Sequence, residues 1–75
     1  FILMVLNQWS YIMIDVKQRV QDELNELVER KDKLAVFLTK DKPSDIDVEQ
    51  WVLLHRQLHI MVKYVEVLEQ RLALM

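Results

Sequence analysis

The sequence predicts an all-α fold, an antiparallel helical hairpin that self-associates into a helical oligomer. Apolar residues recur at alternating spacings of three and four through the C-terminal half, which is the period of one helix packed along another. Glycine is absent and Pro43 is the only proline, which disfavours the tight turns of sandwiches and barrels. One short polar segment separates two amphipathic stretches. These three features together predict two helices joined by a single turn.

The composition favours association with another copy. The chain has 75 residues, of which 52% are apolar, and it contains no cysteine. A domain of this size usually needs disulfides, a metal or oligomerisation as reinforcement, and the absence of cysteine excludes disulfides. The net charge of −2 gives no basic field, so we expect no nucleic acid polymer as a partner.

Residues 1–14 form an apolar N-terminal segment with eleven apolar residues and no charge. Fourteen residues are too few to span a bilayer, and no basic region or cleavage site marks a signal peptide. We expect the segment to pack in the oligomer or against the hairpin, as a helix or a short strand. Two alternatives stay open. One is an anchor on a membrane surface, and the other is an upstream extension in which Met13 is the natural start.

The hairpin is expected over residues 15–75, with its first helix at about 15–40. A stripe of apolar side chains faces one way, interrupted by Lys31, whose stem is expected to pack while its amine reaches water. Acidic and basic residues four apart occupy the other face and support the helix. The expected pairs are Asp15–Arg19, Glu26–Arg30 and Glu29–Lys33.

A loop at residues 39–46 leads to the second helix at about 47–74. Pro43 disfavours helical geometry at Lys42 and ends the first helix. Asp47 is a favourable N-cap, and Gln50 follows three residues later as in a capping box. The short loop makes the two helices antiparallel and is expected to place Leu27 beside Met61. The same alignment of the helices predicts the other pairs along the hairpin. Further expected pairs are Leu38–Trp51, Leu34–Leu54, Lys31–Leu58, Leu24–Val65 and Val20–Leu68.

The second helix carries two apolar rows, and the hairpin covers only one. The core row contacts the first helix and consists of Trp51, Leu54, Leu58, Met61, Val65, Leu68, Leu72 and Met75. The outer row lies beside it at spacings of seven and consists of Leu53, Ile60, Val67 and Leu74. Because the two rows together present more apolar surface than one partner helix covers, we expect the outer row to be the oligomer interface.

No residue pattern indicates an enzyme. His55 and His59 are one turn apart and face the same way, as zinc ligands do, yet no third ligand is evident and Arg56 stands where a metalloprotease helix has glutamate. A solvated or interfacial pair of histidines is the preferred interpretation. The carboxylates of the first helix lack the Glu-x-x-His pairs of di-metal bundles. We expect no catalytic residue, no metal and no cofactor.

Several segments carry a resemblance to a known group. They share a pattern of Arg-Val, Glu-Leu, Lys-Leu-x-x-Phe-Leu, a short loop, and then Leu-Leu-x-x-Gln-Leu-x-x-Met-x-x-Tyr-x-x-Val-Leu, in which Phe37, Gln57 and Tyr64 add to the periodicity. Over about residues 13–72 the chain resembles small uncharacterised proteins of tailed bacteriophages, which are related to an open reading frame of a crAss-like phage. The segments are Lys17–Val20, Glu23–Leu27, Lys33–Leu38, Leu53–Leu58 and Met61–Leu68.

The resemblance implies a phage accessory protein in the cytoplasm of the infected bacterial host, without an established activity. Small phage proteins of this kind are often counter-defence factors, so we expect a protein that sequesters a small nucleotide-derived immune signal between protomers. The signal would be a cyclic nucleotide or an ADP-ribose derivative. Basic side chains would hold its phosphates, and Tyr64 or a histidine would stack on its base. The expected ligand-binding residues are Arg56, Lys63, Tyr64, His55 and His59, followed by Arg30 and Lys33.

A second hypothesis is a protein-interaction module that inhibits or scaffolds a host or phage protein through its apolar helix face. The expected partners are therefore a second copy of the chain, a nucleotide signal or a host protein.

Overall fold

The computed structural model describes the backbone of residues 2–75 and the side chains of residues 16–75. Helix α1 spans Ile2–Leu38 and helix α2 spans Val48–Ala73. The two helices pack against each other as a hairpin, which confirms the all-helical fold predicted from the sequence. Their antiparallel arrangement follows from the contacts, since Phe37 near the end of α1 meets Trp51 near the start of α2.

Helix α1 begins at Ile2, whereas the composition marks a boundary near residue 15. Residues 1–38 contain neither glycine nor proline, so nothing in the backbone interrupts helical hydrogen bonding between the apolar and the charged parts. The boundary at residue 15 is therefore one of composition within a single helix. The proposed contacts of residues 1–14 and the Asp15–Arg19 pair fall outside the side chains that the structure describes.

The loop between the helices is fixed by polar contacts at both ends. The Thr39 hydroxyl donates a hydrogen bond of 2.6 Å to the Val36 carbonyl at the end of α1. The Asp47 carboxylate accepts a hydrogen bond of 2.8 Å from the backbone amide of Gln50, so the predicted N-cap is confirmed. These contacts satisfy backbone groups that the helix ends leave without an intrahelical partner.

The core is a thin layer along the α1–α2 contact. Its buried centre combines two residues of each helix, and partly buried neighbours on both helices surround it. Leu68 is fully buried, and Leu38 closes the layer near the loop. The register predicted from the short loop accounts for this arrangement. The central residues are Val20, Leu27, Val65 and Leu68, and their neighbours are Leu24, Val28, Met61 and Leu72.

Among residues 16–75, five apolar side chains are buried and no polar or charged one is. Many large apolar side chains in the same range stay exposed, most of them on α2. Within the described part of the chain, neither helix combines the length and the apolar character needed to cross a bilayer. Among residues 16–75, α2 therefore carries most of the apolar surface that the hairpin leaves uncovered.

Candidate ligand and assembly surface on α2

The outer row of α2 is exposed along its whole length. Leu53 and Val67 each retain 49% of their accessible surface, Ile60 retains 59% and Leu74 retains 90%. These residues are seven apart, so they form one line on the helix beside the buried core row. A single hairpin leaves this line in contact with water, as the sequence predicts.

A shallow groove of about 430 Å³ lies on the first half of the outer row. Its lining is mostly apolar, with one guanidinium and one amide at the edge. All the lining residues are on α2, at the spacings of a single helix face, so the groove is open toward solvent on its other side. They are Leu53, Arg56, Gln57, Ile60 and Met61.

Tyr64 marks the side of the outer row that faces α1. Its hydroxyl donates a hydrogen bond to the carboxylate of Glu23, a contact between the two helices. This hydrogen bond is the main reason that the pKa of Tyr64 is raised above 10.0; desolvation and the negative charge of Glu23 add to it, and the charge of Arg71 opposes it. Tyr64 is 41% exposed, so part of this residue remains accessible for contact.

Arg56 and Lys63 lie on the other side of the outer row, away from α1. Relative to Ile60, Arg56 is four residues earlier and Lys63 is three residues later, and both positions fall on the same side of the outer row. Tyr64 is four residues later than Ile60, which places it on the opposite side of the row. Both basic side chains are exposed, and within residues 16–75 neither forms a salt bridge. Their charges are therefore available to an anion.

Arg30 and Lys33 on α1 already have acidic partners. Arg30 contacts Glu26 at 3.4 Å and Lys33 contacts Glu29 at 3.0 Å, as the spacing of four predicts. Arg30 follows Glu23 by seven residues, so it shares the edge of α1 that meets Tyr64. A ligand at this edge competes with exposed carboxylates for the guanidinium.

The two histidines lie away from the groove. His55 packs edge-on against Trp51, with ring centroids 5.4 Å apart, and Trp51 packs similarly against Phe37 at 5.7 Å. These three rings close the loop end of the hairpin. His59 is exposed on α2 and does not line the groove. Of the predicted ligand residues, Arg56 is the one that lines the groove. Lys63 and Tyr64 flank the outer row on opposite sides without lining the groove, and His55 lies apart from them at the loop end.

The sequence reasoning did not single out Gln57 and Met61 as groove residues or Glu23 as the partner of Tyr64. Gln57 and Met61 were identifiable from helical spacing, because they lie four residues beyond Leu53 and Gln57 respectively. Glu23 is opposite Tyr64 in the hairpin register that the short loop predicts. In the part of the chain whose side chains are described, no group of three metal-binding residues comes together.

The model of the Sequestin family matches the chain over residues 14–74. This match covers most of the chain and includes the whole of α2.

The chain belongs to the Sequestin family.

Residues 1–13 lie outside the match, which thus begins close to the compositional boundary within α1. No curated protein and no solved structure matches the chain. The name Sequestin suggests that its members sequester something and therefore bind a partner.

Proposed function

We propose that this Sequestin is a phage accessory protein that counters host defence by sequestering a small nucleotide-derived immune signal between protomers. The signal is a cyclic nucleotide or an ADP-ribose derivative, and the protein acts in the cytoplasm of the infected bacterium. The family match over residues 14–74 carries this proposal, because the family name itself suggests sequestration. Binding without chemical conversion also agrees with a sequence that offers no nucleophile or phosphate loop.

The surface of α2 supports a nucleotide as the ligand. A nucleotide combines a flat apolar base with a phosphate, and the outer row places apolar side chains beside Arg56 and Lys63. Guanidinium and ammonium groups bind phosphate, and the open ring of Tyr64 offers a surface for stacking. The groove of about 430 Å³ is within the size range of small-molecule sites, about 300–1,000 Å³.

The open side of the groove supports a site between protomers. Small-molecule pockets usually bury 70–90% or more of a ligand, which a groove on one helix face cannot do alone. A second copy packed on the outer row would cover both the apolar row and a ligand beside it. Self-association and ligand binding are therefore two parts of one proposal.

Calorimetry with purified protein tests the proposal. The panel contains cyclic mononucleotides, cyclic dinucleotides, cyclic trinucleotides and ADP-ribose derivatives. We expect one class to bind, and we expect Arg56→Gln with Lys63→Gln to weaken that binding by about 100-fold, since two charge-assisted contacts are lost. The matched control, Lys17→Gln with Lys40→Gln, changes the net charge equally and leaves binding intact. Absence of binding across the panel contradicts the proposal.

The alternative is a protein-interaction module, favoured by the exposed apolar side chains of α2. A helix with this surface fits the helix-in-groove mode, in which apolar residues at spacings of three and four enter a partner's groove. Such a partner competes with a second copy for the outer row. Arg56→Gln with Lys63→Gln separates the two functions, because neutralising these charges hardly changes an apolar protein contact.

A further inference from the structure

The histidine pair of α2 is a feature that the proposed function leaves without a role. His55 and His59 are both exposed, and neither lines the groove. Around the helix, Arg56 and Lys63 lie between these histidines and the outer row. The two imidazoles therefore occupy a side of α2 of their own, apart from the surface proposed for the nucleotide.

The spacing of four residues brings the two imidazoles within reach of one metal ion. Side chains four apart on a helix have Cβ atoms about 5–6 Å apart and point the same way. Two nitrogen ligands of one ion are about 3 Å apart, because each metal–nitrogen bond is about 2.0–2.1 Å long. Rotation about the side-chain bonds of His55 and His59 closes this difference, so the helix backbone does not have to move.

The nitrogens of both rings are available in the part of the chain whose side chains the structure describes. Among residues 16–75, neither His55 nor His59 takes part in a hydrogen bond or a salt bridge. The ring of His55 packs against Trp51, with centroids 5.4 Å apart and planes at 77°. This contact restricts the rotation of one ligand and so lowers the conformational entropy that metal binding would cost.

The chemistry of the two ligands determines which metal ions they would bind. Imidazole nitrogen suits Cu²⁺, Ni²⁺ and Zn²⁺, whereas Mg²⁺ and Ca²⁺ prefer oxygen ligands. Affinity within the first group is highest for Cu²⁺. A structural zinc site needs four protein ligands, and no group of three metal-binding side chains comes together among residues 16–75. Two histidines therefore fit an exchangeable site, in which water occupies the remaining coordination positions.

We propose that His55 and His59 form a bidentate site for a borderline divalent transition-metal ion, with Cu²⁺ bound most tightly. The site departs from the expectation of no metal, which rested on the lack of a third protein ligand. It is independent of the proposed function, since neither histidine is needed to hold the nucleotide. The positive charges of Arg56 and Lys63, each within one turn of His59, oppose the binding of a cation.

A bound ion would also stabilise α2. The folded helix holds both imidazoles on one side, whereas the unfolded chain does not keep them together. A ligand that binds the folded state more tightly raises the free energy of unfolding. The site thus has a second measurable consequence besides binding itself.

Titration with Cu²⁺ tests the site through the fluorescence of Trp51, in a Trp9→Phe background where Trp51 is the single tryptophan. The titration is made at about pH 7.5, at which an ordinary imidazole is mostly neutral and can ligate a metal. Because His55 contacts Trp51, we expect bound Cu²⁺ to quench this fluorescence saturably, at one ion per chain, and EDTA to reverse the effect. Calorimetry is expected to show weaker binding of Ni²⁺ and Zn²⁺ and none of Mg²⁺.

Variants assign the binding to the histidine pair. His55→Ala and His59→Ala should each weaken Cu²⁺ binding by about tenfold or more, because the helix no longer supplies a second imidazole at high effective concentration. His59→Gln with Gln57→His keeps the composition but places the histidines two residues apart, on different sides of the helix, and should bind as weakly. Arg56→Gln with Lys63→Gln removes repulsion and should tighten binding by about threefold.

Three results overturn the proposal: no saturable binding of Cu²⁺ by the wild-type chain, an affinity that is unchanged in His55→Ala with His59→Ala, or an exchanged variant that binds as tightly as the wild type. Urea unfolding gives the second readout. We expect Cu²⁺ to raise the free energy of unfolding of the wild type and to leave that of the exchanged variant, His59→Gln with Gln57→His, nearly unchanged. Circular dichroism of each variant checks that the helices are retained.

Discussion

The Tyr64 hydroxyl donates a hydrogen bond to the Glu23 carboxylate and so joins the edge of α2 to α1. This contact marks the side of the outer row that faces α1, as the buried core row on the same side of α2 requires. The hydrogen bond holds the proton on Tyr64, and the pKa of this side chain is consequently raised above 10.0.

Stability should therefore depend on pH through Tyr64. From neutral pH to about pH 9 the hydroxyl is protonated in both states and its hydrogen bond to the carboxylate contributes fully. As the pH rises above 10.0, the unfolded chain loses this proton first, and the free energy of unfolding falls until the folded chain also loses it. We expect the stability difference between the wild type and Tyr64→Phe to be constant from neutral pH to about pH 9 and to shrink as the pH rises through and above 10, in urea unfolding at a series of pH values.

An absorbance titration of tyrosinate gives an independent measurement of the same contact. In a Tyr11→Phe background only Tyr64 titrates. We expect Glu23→Ala to lower the pKa of Tyr64, because it removes the hydrogen bond that is the main cause of the raised pKa, together with the negative charge of the carboxylate. An unchanged titration curve would show that the two groups do not interact in solution.

Leu68 is expected to be the most sensitive core position. Its side chain is fully buried between the helices, and Leu68→Ala leaves a cavity in a thin core. We expect a loss of about 2–5 kcal/mol in the free energy of unfolding. Leu53→Ala removes the same atoms from a side chain that is 49% exposed in the hairpin, and it should affect dimerisation more than helix packing. Unfolding over a range of protein concentrations separates the two effects.

The Asp47 cap should contribute measurably to the start of α2. Its carboxylate accepts the Gln50 amide hydrogen bond at 2.8 Å, and Asp47→Ala leaves that amide to water. We expect a loss of about 1 kcal/mol in chemical unfolding. Asp45→Ala removes an equal charge two residues earlier without removing the cap, and a loss of the same size in that control would assign the effect to charge alone.

Lys31 interrupts the apolar stripe of α1, and its replacement should stabilise the hairpin. Its side chain is only 26% exposed, and its amine contacts the exposed carboxylate of Asp32 at 3.0 Å. Lys31→Leu replaces a packed stem with an apolar side chain and is expected to add about 1 kcal/mol to the free energy of unfolding. Lys33→Leu, at a position that is 76% exposed, should add little. Equal gains at both positions would mean that the core does not extend to Lys31.

Most of the hairpin was predictable from the sequence, because its determinants are local or periodic. The heptad spacing identified Leu68 and Leu27 as core residues, and Asp47 marked the start of α2. The start of α1 was harder to predict. The change from apolar to charged residues near residue 15 changes which surroundings the helix can pack against, but it does not interrupt the hydrogen bonding of the helix backbone. The helix consequently runs through residue 15 from Ile2.

The candidate site was predictable only in part. Periodicity placed the outer row, and residue chemistry selected Arg56, Lys63 and Tyr64. His55 follows Trp51 by four residues, so their ring contact could be read from the spacing, whereas the contact of Trp51 with Phe37 depends on how the two helices pack. The partner of Tyr64 across the hairpin, Glu23, likewise depends on the packing of distant parts of the chain.

We propose that this Sequestin captures a small nucleotide-derived signal between copies of itself. Native mass spectrometry tests it most directly, on protein purified before and after exposure to an extract from bacteria whose nucleotide-signalling defence has been triggered. We expect a defined oligomer that gains the mass of one nucleotide signal at each interface, and we expect the variant Arg56→Gln with Lys63→Gln to lose this gain. A monomer, an oligomer that gains no small molecule, or a stable complex with a host protein in its place would contradict it.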